Sequence, residues 1–220
     1  MSGASASFWH YLDVNRDRLL ELTQEHLYIT LVSLGLGTVI GVSLGILAFR
    51  RPRVRGLILG TAGLILTIPS LALYALFVSL LGLGAVPVVV ALTLYSLLPI
   101  VRNTVTGLDG VDAAIVEAAQ GQGMGPWRRL VRVQLPLAWS VILTGIRVSA
   151  VIVVGVAALG AIVNGPGLGQ LLLDGLRRVG SPVALNMALA GTLGVALLGV
   201  LLELMFIFLG RITIPRGIRE

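Results

Sequence analysis

The residues best placed to do chemistry in this chain lie in one polar insert. Glu117-Ala118-Ala119 is followed after three residues by Gly123, and after nine more by Val133-Gln134-Leu135-Pro136. This is the composition of a docking element. Small alanines let a second backbone approach closely. Glu117 offers hydrogen-bond acceptors across an interface or within a helix pair, and Gly123 permits a bend. Met124 lies on the side of Glu117, and Arg128, Arg129 and Arg132 follow on the next segment. Other candidate groups stand in apolar surroundings: the charges Arg147 and Glu203, the rings of Tyr74 and Tyr95, whose faces can hold a cation, and the helix breakers Pro69 and Pro99. His10 and His26 are too few and too near one end for a metal centre, and without cysteine there is neither a disulfide nor a thiolate site. No G-x-x-x-x-G-K-[ST] loop is present to hold a nucleotide. No metal or cofactor is therefore expected on this chain, and it is not expected to be an enzyme.

The elements that must position these groups are membrane spans. The 220 residues are 56% hydrophobic and 12% charged, with a mean hydropathy of +0.99; a soluble domain carries about twice that charge. Residues 27–49 contain no ionisable group and exceed the ~20 residues needed to cross the hydrocarbon core. Residues 56–101 are equally free of charge but too long for one helix. Gly82-Leu83-Gly84 and Pro87 divide them into spans at 56–81 and 86–106. Residues 135–163 and 183–210 supply the fourth and fifth. The expected fold is an all-α integral membrane protein with five transmembrane helices, a helical insert and termini on opposite sides. Residues 1–26 are expected to form an interfacial segment outside the membrane, 27–210 the membrane domain with its insert at 109–136, and 211–220 a tail. The first 24 residues lack the apolar core of a signal peptide. Their mixture of Phe8, Trp9, Tyr11 and leucines with charges suits an amphipathic helix at the headgroup level.

Arginine placement sets the orientation, because the chain has no lysine. Arg50, Arg51, Arg53, Arg55, Arg102, Arg128, Arg129, Arg132, Arg211, Arg216 and Arg219 fall on one side. Only Arg16, Arg18, Arg177 and Arg178 fall on the other, the first two diluted by Asp13, Asp17, Glu21 and Glu25. The positive-inside rule puts the insert and the C-terminus in the cytoplasm and the N-terminus outside. The net charge of +6 thus reports topology rather than a nucleic-acid partner.

Within the insert, Asp109 or Asp112 is expected to cap a short helix over residues 113–120. Gly121, Gly123 and Gly125 break that helix, and Pro126 opens a second one where its missing N–H costs nothing. The spacing of the insert closely resembles the coupling motif of permease subunits of bacterial ABC importers, with Val133 where isoleucine is usual. Four further blocks resemble the osmoprotectant branch of that family: Glu25-His26-Leu27, the run from Ile68 to Leu73, the run from Leu94 to Thr104, and Gly165-Pro166-Gly167-Leu168-Gly169. Gln120 and Gln122 stand where that branch usually has arginine and methionine. The resemblance implies a permease for glycine betaine, choline, carnitine and similar quaternary ammonium compounds, in the inner membrane, with Glu117, Ala118, Ala119, Gly123, Met124 and Pro136 in the ATPase-coupling region. It also implies two cytoplasmic ATPase subunits carrying ATP and Mg, a second permease copy or homologue, an external solute-binding protein, surrounding lipid and no nucleic acid. A permease for another small solute such as an amino acid, or an ion-coupled secondary transporter, is the competing reading.

The remaining candidates stay open between two roles. Arg147 and Glu203 fall at similar depth on antiparallel spans, either as an interhelical pair or as a gate in the pathway. Pro69 and Pro99 are expected to interrupt spans two and three, as simple kinks or as breaks lining a cavity. Tyr74 and Tyr95 either meet a cationic substrate or face core or lipid. Residues 164–170 form a glycine-rich external turn, either a receptor-docking loop or a re-entrant one.

Overall fold

A backbone surrounded by lipid must satisfy its own hydrogen bonds, and the charge-free runs accordingly become helices. The computed structural model describes residues 7–213. Residues 1–6 and 214–220, with Arg216 and Arg219 of the expected tail, lie outside the described residues.

Helix α1 (Phe8–Val14) ends at Asn15, whose side-chain amide donates to Tyr11 O at 2.8 Å. α2 (Arg16–Arg50) begins at once and runs 35 residues without a break, about 52 Å of helix against a hydrocarbon core of about 30 Å. The helix is thus continuous across the boundary expected at residue 26. Its early turns pack on the bundle: Leu22 is fully buried, in a cluster with Leu168, Leu171 and Met187.

The second expected span is two helices. α3 (Pro52–Thr67) and α4 (Ser70–Leu81) meet at 98°. Pro69 forces this, because it lacks an N–H and pushes Ile68 into extended conformation (φ −67°, ψ 128°). Among the described residues, four helices are individually long and apolar enough to span, and a fifth span results if the bent pair counts as one. Gly82 and Gly84, at φ +79° and +115°, make the reversal into α5 (Ala85–Asp109). Pro99 does not interrupt α5, contrary to expectation. A single missing N–H is tolerated there, with Gly145 of the next span packed against the Pro99 carbonyl, where a methyl group would fall 2.7 Å away.

The insert follows as α6 (Ala113–Gly121) and α7 (Pro126–Arg129). A π-helical turn, Leu130–Gln134, joins α7 to α8 (Leu135–Ala157), which tightens into a 3₁₀ segment at Ala158–Val163. Asn164, at φ 58°, ends it. A short helix absent from the sequence expectation, α9 (Gly169–Arg177), precedes the last span, α10 (Ala184–Thr213).

α2, α5 and α8 form the centre. Gly37, Gly41 and Gly45 recur every fourth residue along α2 and face Ser96, Ile100 and Thr104 at the same spacing on α5. A methyl group would collide with Ser96, fall 2.8 Å from Ile100 Cγ2, or fall 2.5 Å from Thr104 Cβ. Small residues bring two membrane helices into close contact where no hydrophobic drive exists.

Candidate functional site

The insert is built by local capping. Asp112 Oδ1 accepts from the Ala114 N–H at 2.8 Å and starts α6. Asp109, the other expected cap, instead pairs with Arg55 Nη1 at 2.7 Å. At the far end the Met124 N–H bonds Ala119 O at 3.1 Å and the Gly123 N–H bonds Gln120 O at 2.9 Å. This is a Schellman ending, which needs a left-handed residue at its turn. Gly123 supplies it at φ +79°, and a side chain there would meet open space. The demand for glycine is therefore conformational; crowding plays no part.

The second half of the insert is tied back to the first. Arg129 Nη1 donates to Gln120 Oε1 at 2.8 Å, so the glutamine that departs from the usual branch residue joins α6 to α7. Leu130, fully buried against Leu108 and Ile142, anchors the root. Glu117 and Ala118 face outward, whereas Ala119 is turned inward and buried. Met124 is half-buried; Gly123 and Pro136 are exposed. Beside them lie apolar side chains that the sequence reading did not single out: Trp127, 65% exposed, with Ile115 and Val131 at 44% each. A tryptophan directly after a helix-opening proline in a polar insert is the signal that could have found this patch. The Glu117 carboxylate, these apolar side chains and the exposed Arg128 and Arg132 share the insert's surface.

Within the spans, Arg147 and Glu203 meet. Arg147 Nε donates to Glu203 Oε2 at 2.8 Å, and Nη2 donates to Oε1. The pair joins α8 to α10 and borders an open groove of about 370 Å³ lined with Thr144, Val148, Val151 and Ile152. The two tyrosines lie in the core. Tyr74 is fully buried and its hydroxyl donates to Val156 O at 3.0 Å; Tyr95 donates to Ile68 O at 2.5 Å. The second bond satisfies a carbonyl that the Pro69 break left without its helical partner. Pro69 and Tyr95 are thus brought together, while Pro99 sits lower on α5, against α8.

At the end opposite the insert, two of the blocks that carry the resemblance touch. The Gly167 N–H donates to Glu25 Oε2 at 3.0 Å. Gly167, at φ +109°, lies so close to His26 that a methyl group would stand 2.9 Å from it, and His26 Nε2 is 3.0 Å from Val154 O. Gln170 holds the same loop, accepting from Arg18 at 2.7 Å and donating to Gly165 O at 3.2 Å.

Stacked apolar helices that expose a capped, glycine-turned helix pair between the third and fourth spans define a multi-pass membrane protein with a helical insert. Over residues 37–212 the chain matches the family described as binding-protein-dependent transport system inner membrane component, and it belongs to that family. It is 42% identical to the osmoprotectant import permease protein OsmW of Salmonella typhimurium, over 96% of this chain and 98% of that one. It is 37% identical to the glycine betaine/carnitine/choline transport system permease protein OpuCB of Bacillus subtilis, over 95% and 94%. Its fold matches a chain of the MetNI methionine ABC transporter with a TM-score of 0.77, at 23% identity, over 89% of this chain and 95% of that one. The chain is a non-catalytic permease subunit, and a binding-protein-dependent system supplies it with an ATPase and a solute-binding protein as partners.

Proposed function

We propose that this chain forms the membrane pathway of an ATP-driven importer for quaternary ammonium osmoprotectants of the glycine betaine, carnitine and choline type. The observation that carries this reading is near full-length identity to permeases whose names state those substrates. Two ATPase subunits dock on the inserts of two permease subunits from the cytoplasmic side, with Glu117, Ala118, Gly123, Met124 and Pro136 in or beside the contact. The solute-binding protein delivers substrate to the opposite face, near the loop at 164–170. ATP-driven closure of the ATPase pair moves the inserts, and through them the spans. Arg147 and Glu203 border the pathway as a pair that also fastens α8 to α10. Tyr74, Tyr95 and Pro69 shape the bend beside it, and Pro99 packs below them.

The test is reconstitution of the whole complex in proteoliposomes. Radiolabelled glycine betaine uptake is expected to require ATP inside the assembled system and the binding protein, and to persist when ion gradients are collapsed. Uptake driven by an ion gradient without ATP would make the chain a secondary transporter.

A further inference from the structure

α3 is fastened to α5 at its two ends. Only Ala62 of its residues is fully buried; a half-buried stripe through Val54, Ile58, Leu59 and Leu66 lays it on α5 and α2, and the polar ties lie at the two ends of that stripe. At the insert end, Arg55 in the first turn of α3 holds Asp109, the last residue of α5, at 2.7 Å. At the other end the Ile68 carbonyl, just past α3, is held by the Tyr95 hydroxyl of α5 at 2.5 Å. The ties are 13 residues apart along the α3 strand of chain and 14 along α5, about 20 Å and 21 Å of helix. Two antiparallel helices are therefore strapped in matching register.

The insert begins immediately after this strap, at Gly110. Three other ion pairs do not tie α3. Arg18–Glu21 and Arg177–Asp174 close within single turns, and Arg147–Glu203 lies between α8 and α10. Beyond the bend, α4 shares a buried apolar cluster with α5 through Leu73, Tyr74 and Leu92, but its polar ties run to another segment. Tyr74 bonds Val156 of α8, and the Gly84 N–H, just past the end of α4, bonds Val163 O at 2.9 Å.

We infer that Arg55 and Asp109 are positioning residues that carry movement of the insert into α3, so that α3 and α5 travel together and the bend at Ile68–Pro69 takes up the motion against α4. This rests on the insert being the ATPase-docking surface. Force applied to α6 enters the membrane part at the end of α5. There the guanidinium of Arg55 passes it to α3, alongside the apolar contacts that α5 makes with α2 and α8.

The test uses the complete reconstituted complex and measures glycine betaine uptake and ATP hydrolysis in the same vesicles. Arg55→Gln and Asp109→Asn are each expected to leave the ATPase bound and hydrolysing while uptake per ATP falls about two- to fivefold, the range that a partly exposed ion pair can supply. Arg55→Lys keeps most of the coupling. The charge reversal Arg55→Asp with Asp109→Arg restores a large part of what Arg55→Asp alone loses. Unchanged uptake per ATP in the single variants overturns the inference while leaving the docking reading intact. Loss of assembly that the reversal fails to repair makes the pair merely structural, and also overturns it. Failure of the unmodified chain to retain any ATPase removes the docking reading itself.

Discussion

Arg147 on α8 and Glu203 on α10 form a two-point ion pair, guanidinium edge to carboxylate edge, 56 residues apart in sequence. Bidentate geometry of this kind is the strongest that an arginine and a carboxylate can make. It occurs inside the spans, where a charge without its partner has a poor solvent. One side of the pair remains open to a groove, with the side chains 40% and 34% exposed.

Removing one partner strands the other. Arg147→Leu and Glu203→Leu are each expected to reduce the yield of assembled complex severalfold and to lower its thermal midpoint. The double variant recovers part of both, because neither charge is then left alone. Additive losses would count against the pair as a fastening. Unchanged stability in all three variants together with lost transport would assign the residues to the pathway alone.

Gly123 provides a conformational test of the insert. A residue with a side chain in the left-handed region costs roughly 1–2 kcal/mol, β-branched residues being worst and asparagine tolerated best. Gly123→Val is therefore expected to unmake the Schellman ending and abolish substrate-stimulated ATP hydrolysis, with membrane insertion unchanged. Gly123→Asn keeps most of the stimulation. Since a side chain there meets open space, equal damage from both variants would show that the φ angle is not what matters.

Much of this arrangement can be read from residue pattern, for definite reasons. Absence of charge over some twenty residues locates a span without knowledge of its neighbours, and Asp112, Gly123 and Pro126 act within a few residues of themselves. What pattern alone misses is settled between distant segments. Pro69 and Pro99 look alike in sequence, but one bends its helix by 98° and the other leaves α5 continuous. The difference lies in their surroundings: Tyr95 caps the carbonyl freed at Ile68, and Gly145 packs on Pro99. The chemistry of the tyrosines alone leaves them open between holding a cation and facing core or lipid; both serve as hydroxyl donors to backbone across helices. Asp109 and Asp112 are equivalent capping candidates in sequence, but Arg55, 54 residues away, occupies the first. The Gly37, Gly41 and Gly45 stripe was present in the sequence as a small-residue repeat every fourth position, and its meaning became clear only against Ser96, Ile100 and Thr104.

Orientation has its own test at two exposed positions. Ser181 lies between α9 and α10, and Gln122 lies at the turn of the insert. The arginine asymmetry places them on opposite sides of the membrane. In intact cells, or in spheroplasts if an outer membrane blocks the reagent, Ser181→Cys is expected to react with an impermeant thiol reagent. Gln122→Cys reacts only after permeabilisation. The chain has no native cysteine to confuse the readout. The opposite labelling pattern would put the insert out of reach of a cytoplasmic ATPase.

Trp127 decides what the insert is for, because its exposure has two rival explanations. Tryptophan is at home at the membrane interface, and Trp139 suits that role: half-buried, its indole N–H donates to Thr213 at 2.9 Å, where α10 ends. Trp127 lies twelve residues earlier on the same helical run, Pro126–Val163, about 18 Å further out along the axis. The headgroup layer on each side is only about 5–8 Å thick, so with Trp139 at the interface and the helix along the membrane normal, Trp127 would project beyond it. An aromatic 65% exposed there, beside Glu117, Arg128 and Arg132, has the character of a binding anchor, whose truncation typically costs about 2 kcal/mol or more, roughly thirtyfold in affinity. Trp127→Ala is expected to weaken association of the purified ATPase with the permease by that order. Trp127→Phe retains most of it, and Glu117→Ala gives a smaller loss. Yield and thermal stability of the permease should not move, since the side chain touches little of its own chain. An alanine variant that binds the ATPase normally but comes out of the membrane with lower yield would make Trp127 a lipid anchor and leave the apolar patch on the insert without a protein partner.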